Sequence, residues 1–132
     1  MLSVSTPRND PAIMSSHNDL GSLGEKLAAD YLRSQGYCIL EQNFYYQRAE
    51  IDIIAQYQNT LIIVEVKTRN SSYFGDPQNF ITPAKIKLLV KAADAYIQDR
   101  GISLELRFDV IAVLKNNKEQ RVEHFEDAFY HF

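Results

Sequence analysis

EIDIIAQYQNTLIIVEVKTR, residues Glu50 to Arg69, decides the fold. Two apolar runs flank the polar pentapeptide Gln56-Tyr57-Gln58-Asn59-Thr60. Asp52 interrupts the first run, and Glu65 and Lys67 interrupt the second. Both runs read as strands, rich in Ile and Val. If Gln58 and Asn59 form a two-residue turn, Tyr57 faces Thr60, Ala55 faces Ile62, Ile53 faces Val64 and Asp52 faces Glu65. Asn tolerates the positive φ that such turns require. Residues two apart share a face, so this register gathers Asp52, Glu65 and Lys67 into one cluster.

Two facing carboxylates repel, and burial makes the repulsion worse. Three arrangements compensate: an ion pair with Lys67, a proton shared between the acids, or a divalent cation. Hard oxygen ligands of this kind suit Mg²⁺ or Mn²⁺, with the Val66 carbonyl as a further ligand beside Asp52 and Glu65. Lys67 next to such an ion would orient an attacking water or neutralise charge on a phosphate. Glu50, two residues before Asp52, is an outer ligand or a partner for Arg48 or Arg69.

Outward from this hairpin the chain alternates cleanly. Residues 1–18 are rich in Ser, Pro and Asn without a period and read as a flexible tail, leaving residues 19–132 as a single domain. A helix over Asp19–Gln35 carries Leu20, Leu23, Leu27 and Tyr31 at helical spacing, with Gly24 and Ala28 beside them, and ends at Gly36. Glu25 sits at the edge of that stripe, close to the angular position of Leu32 at about 100° per residue. It is a fourth candidate acid, or a solvated Glu favoured by the helix dipole. Cys38–Tyr46 reads as a strand. Beyond the hairpin, Thr68–Ile81 is a long polar loop carrying Tyr73 and Phe74. Thr82-Pro83 opens a second helix, with an apolar stripe of Ile86, Leu89, Val90, Ala93 and Ile97, stopped by Gly101. Leu104–Leu114 and Arg121–Phe125 are two further strands. The order is α-β-β-β-α-β-β, an α/β (α+β) chain whose mixed sheet is flanked by helices.

Composition narrows the classes. The 132 residues suffice for one core. A net charge of −3 argues against an indiscriminate nucleic-acid coat. A lone Cys38, expected to be buried, excludes an internal disulfide, and the three His residues show no zinc spacing. The longest apolar run is far short of the roughly 18 residues of a membrane span, and the N-terminus lacks a secretory pattern. The expectation is a cytoplasmic protein. Arg69 and Lys85 are candidate phosphate contacts, and Tyr73 and Phe74 candidate base-stacking residues; solvated charges and core-capping rings are the alternatives.

Asp52 followed by Glu65-Val66-Lys67 resembles the PD-(D/E)xK signature of restriction-endonuclease-like nucleases. With GEKLAADYLRSQGY, NFYYQRAEIDIIA, LIIVEVKTR, FGDPQNFITPAKIKLLVKAADAYI and EHFEDAF, the chain from about Asn18 to Phe129 resembles the YraN family of small predicted endonucleases. Its layout is also similar to that of archaeal Holliday-junction resolvases. The resemblance implies a core of helix, three antiparallel strands, helix and strand. It implies that Glu25, Asp52, Glu65 and Lys67 are the metal-binding and catalytic set. Ala49 departs from the glycine usual in the family and puts a methyl group near the site.

The leading expectation is a Mg²⁺- or Mn²⁺-dependent endonuclease acting on DNA, with a homodimer plausible on symmetric substrates. The alternatives are a DNA-binding module with a nuclease fold and no turnover, and a protein-interaction domain with a structural ion-pair cluster.

Overall fold

A computed structural model describes residues 17–71 and 81–128 of the chain. The expected tail lies outside these residues up to position 16. Helix α1 (His17–Ser34) is followed by strands β1 (Cys38–Tyr46), β2 (Ala49–Tyr57) and β3 (Thr60–Arg69). Helix α2 (Pro83–Arg100) and strands β4 (Glu105–Lys115) and β5 (Gln120–Phe125) complete the expected order. The five strands form one sheet in sequence order, antiparallel except for a parallel β3–β4 pair. That parallel step is why α2 intervenes there: a parallel connection must cross over the sheet.

The helices cover opposite faces. On the α1 side, Ala28, Ala29 and Leu32 pack on Ile53, Ile62, Val64 and Ile111. On the α2 side, Leu89, Ala92, Ala93 and Tyr96 pack on Ile54, Leu61, Ile63 and Phe108. The leucine stripe expected to bury α1 is only its flank; the fully buried line runs through Gly24, Ala28 and Leu32. Small residues bring this helix close to the sheet. A Cβ at Gly24 would overlap the Thr68 side chain, meeting Oγ1 and lying 2.9 Å from both Cβ and Cγ2.

Local signals behave as their chemistry requires. The Thr82 hydroxyl caps α2 by accepting from the Lys85 amide at 3.1 Å, Pro83 follows, and Gly101 closes the helix at φ 60°. Two expectations are corrected. Cys38, at the start of β1, is exposed. In the β2–β3 turn the positive φ falls on Gln58 (53°), not on Asn59.

A buried polar network ties β4 and β5 to α1. Asp109 is fully buried. Its Oδ1 accepts from Arg107 Nε (2.9 Å) and the Asp127 amide (3.0 Å), and its Oδ2 from Arg107 Nη2 (2.8 Å). His124 Nε2 lies 2.7 Å from Oδ2, and Tyr31 Oη lies 3.2 Å from Nδ1. The tautomer protonated on Nε2 satisfies both contacts. Burial pushes the Asp109 carboxyl up, but hydrogen bonds from His124, Arg107 and the Asp127 amide outweigh it and leave it below the usual range.

Two outcomes test this packing. Gly24→Ala should destabilise by about 1–3 kcal/mol through overpacking, although helix propensity alone favours Ala by about 1 kcal/mol; urea melts read the sign. Asp109→Asn turns an amide NH₂ toward donors and should lose about 3–5 kcal/mol. Because the folded carboxyl lies low, its stabilisation holds above the ordinary carboxylate range. It fades as pH falls through the folded value, so the deficit of the variant should shrink in acid.

Candidate metal centre

The hairpin register from Tyr57↔Thr60 to Ile53↔Val64 is the one read from the sequence, and the bonded pairs stop there. A continued ladder would put Ile51 opposite Val66. Instead Asp52 Oδ2 accepts the Val66 amide at 2.8 Å. Asp52 therefore does not simply stand across from Glu65, because its carboxylate takes the place of a backbone acceptor. The cause lies in β2. Ile51 belongs to the α2-side core and Ile53 to the α1-side core, although residues two apart in a regular strand share a face. The strand changes face at Asp52.

Three half-buried acids meet there. Carboxylate oxygens of Glu25, Glu50 and Asp52 all lie within 4.8 Å of one another. Glu25 reaches the site because it borders the buried line of α1, next to Gly24, where the helix touches the end of β3. Asn43 Nδ2 donates to Glu25 Oε1 at 3.1 Å.

Glu65 adjoins this trio. Val64 and Val66 belong to the α1-side core, so alternation turns Glu65 toward α2. It is 4% exposed. Its Oε2 lies 3.6 Å from Lys67 Nζ and 3.4 Å from Lys85 Nζ. Its Oε1 is buried with no hydrogen-bond partner among the described residues.

The crowding is expressed in the titration of the acids. Burial and then the Glu65 charge push Asp52 up to about 8, with further contributions from Glu25 and Glu50; the Val66 amide pulls in the opposite direction. Glu25 is also raised, by burial, then Glu50, then Glu65.

The expected residues divide as follows. Glu25 and Asp52 meet, and Glu50 joins them more closely than its outer-ligand reading required; Glu65 acts on Asp52 and Glu25 through its charge and pairs with Lys67. Lys85, expected at phosphate, pairs with Glu65. Arg69 is exposed, with Nη1 donating to the Thr68 carbonyl at 3.0 Å. Val66 enters through its amide. Tyr73 and Phe74 lie outside the described residues. The Ala49 methyl is buried in the α2-side core. Asn43 carried no signal in the sequence, since its role depends on an unusual backbone angle.

The donor set fits a small divalent cation. Octahedral Mg²⁺ at about 2.1 Å holds its ligand oxygens roughly 3–4 Å apart, and oxygens of the three acids all lie within 4.8 Å of one another. The buried Glu65 Oε1 has an unmet acceptor. Four carboxylates against two ammonium groups leave two negative charges when all are ionised, the charge that one such ion balances.

The model of the uncharacterised protein family UPF0102 matches residues 24–113. That segment contains Glu25, Asn43, Glu50, Asp52, Glu65, Lys67 and Lys85. UPF0102 protein FP2501 of Flavobacterium psychrophilum is 60% identical over 119 residues, covering 90% of this chain and 100% of that protein. A UPF0102 protein of Flavobacterium johnsoniae is 52% identical over 123 residues, with 90% and 100% covered. Another, of Phocaeicola vulgatus, is 40% identical over 117 residues, with 89% and 97% covered. The chain belongs to the uncharacterised protein family UPF0102.

Proposed function

We propose that the protein is a Mg²⁺- or Mn²⁺-dependent phosphodiester hydrolase, an endonuclease acting on DNA. The observation that carries this reading is the convergence of Glu25, Glu50 and Asp52, together with a buried Glu65 whose charge acts on Asp52 and Glu25 and whose Oε1 has no hydrogen-bond partner among the described residues. A cluster serving stability alone would be disfavoured, because unpaired buried charge destabilises a fold. The resemblance to YraN and PD-(D/E)xK nucleases, including the branched-DNA resolvases, supports the same reading.

Asp52, Glu65 and Glu25 would hold the ion, with the Val66 carbonyl as a further ligand and Glu50 closing the acidic rim. Such an ion supplies Lewis-acid polarisation of a phosphoryl oxygen and a more acidic bound water. Lys67, partly open to solvent beside Glu65, presents an ammonium to the negative charge that grows on the phosphate and orients the attacking water. Val66 keeps the Asp52 carboxylate aimed through its amide. Arg69, with Tyr73 and Phe74, would hold DNA beside the site, and two copies would serve a symmetric substrate.

The two ammonium groups at Glu65 favour one rival, a structural ion cluster. Calorimetry with Mn²⁺ separates the readings, since a purely structural cluster takes up no ion.

Purified protein should cut branched, single-stranded or duplex DNA only with Mg²⁺ or Mn²⁺. Lys67→Ala should lower that rate by about 10²-fold or more, and Asp52→Ala should abolish it; cleavage by both variants at the wild-type rate would remove the mechanism. Ion affinity should rise with pH up to about 8, as Asp52 gives up its proton. Without metal, the folded protein binds more protons at Asp52 than the unfolded chain between the ordinary carboxylate value and about 8. Stability therefore falls as pH rises through that window. Asp52→Asn removes this loss and should melt about 2–6 °C higher at pH 8, the shift that roughly 1 kcal/mol produces in a domain of this size, while taking up no Mn²⁺.

A further inference from the structure

Besides the register shift between Ile39 and Glu41, strand β1 breaks its geometry at a second place. Asn43 has φ 55° in the middle of the strand. Among the described residues, the other non-glycine residues with positive φ sit where the chain turns: Gln47 in the β1–β2 hairpin, Gln58 in the β2–β3 hairpin, and Asp127 after β5. Asn43 is at no turn. Bonded pairs continue on either side of it, Gln42↔Ile53 and Phe44↔Ile51. Left-handed backbone is disfavoured for residues with a Cβ, and Asn is among the few that adopt it, as a single residue.

This distortion coincides with the change of face in β2. Asn43 and Asp52 are the residues left between the bonded pairs Gln42↔Ile53 and Phe44↔Ile51. Phe44 packs with Ile51 in the α2-side core, whereas Ile53, opposite Gln42, is in the α1-side core. Both strands thus switch faces across a single step. One consequence is that Asp52 reaches the Val66 amide. The other is that Asn43 Nδ2 reaches Glu25 Oε1 on α1. Backbone strain of this kind persists where the surroundings over-determine it, and it gathers at functional sites.

Resting on the metal reading above, we propose that Asn43 is a positioning residue for the cation site. Its left-handed backbone aims the side-chain amide at Glu25. The hydrogen bond fixes the long Glu25 side chain in one rotamer and leaves its remaining acceptor capacity toward Glu50 and Asp52. Amide groups that orient a ligating carboxylate in this way typically alter metal affinity 10- to 100-fold when removed.

The test is Mn²⁺ calorimetry on the full chain, with urea melts alongside. Asn43→Gly keeps the positive φ at no steric cost and removes only the amide. It should weaken Mn²⁺ binding about 10- to 100-fold with little change in the urea midpoint. Asn43→Ala removes the same amide on a strained backbone, so a loss common to both variants belongs to the amide. In a Glu25→Ala background, Asn43→Gly should have no further effect on affinity, because the two residues act as a unit. Wild-type-like affinity in Asn43→Gly or Asn43→Ala overturns the positioning role and leaves the metal reading intact. An undiminished effect of Asn43→Gly in the Glu25→Ala background overturns it as well. A wild-type protein that takes up no Mn²⁺ overturns the metal reading, and this one with it.

Discussion

The bond from the Val66 amide to the Asp52 carboxylate is the contact on which the site depends. A side chain has taken the place of a backbone acceptor where the β2–β3 ladder stops. This does two things at once. It keeps a buried amide satisfied, as a sheet interior demands. It also anchors an acid among three others, where charge repulsion would drive it out toward water. A hydrogen bond to the charged form opposes burial and neighbouring charge, and here it only partly offsets them.

The chain contains a control for that arrangement. Asp109 is as deeply buried as any residue in the fold, yet Arg107, His124 and the Asp127 amide surround it with partners, and its carboxyl lies low. Glu65 is nearly as buried, with one oxygen facing two lysines and the other without a hydrogen-bond partner among the described residues. One carboxylate is completed by the fold and the other is left open. Fully satisfied polar networks specify structure, whereas departures from local consistency concentrate at functional sites. From α1, Tyr31 joins the Asp109 network, while Gly24 meets the end of β3 and Glu25 belongs to the acidic trio.

Close approach of α1 links fold and site. A larger residue at Gly24 would hold the helix off Thr68 and carry Glu25 away from Glu50 and Asp52. The helix buries Gly24, Ala28 and Leu32 rather than Leu20, Leu23 and Leu27 for this reason. A stripe of leucines is the stronger signal in a sequence, but small side chains permit the shorter distance between helix and sheet.

The amino-acid sequence by itself determined the element order, the caps of α2, the hairpin register from Tyr57↔Thr60 to Ile53↔Val64, and the alignment of Glu25 with Leu32 on one helix face. These depend on short-range periodicity, turn length and capping chemistry, which act between neighbours in the chain. Tertiary structure alone decided the switch of face at Asp52, the left-handed Asn43, the reach of Lys85 to Glu65, the exposure of Cys38, and the meeting of Arg107, Asp109 and His124. Each of these depends on which strand or helix lies alongside. Strict alternation kept Glu50 and Asp52 together but gave no sign that the strand would twist over between Ile51 and Ile53. A β-strand has a period of two only while its ladder continues. Where the ladder stops, the side chains go to whatever partners the surrounding layers provide, and those layers come from residues distant in the chain.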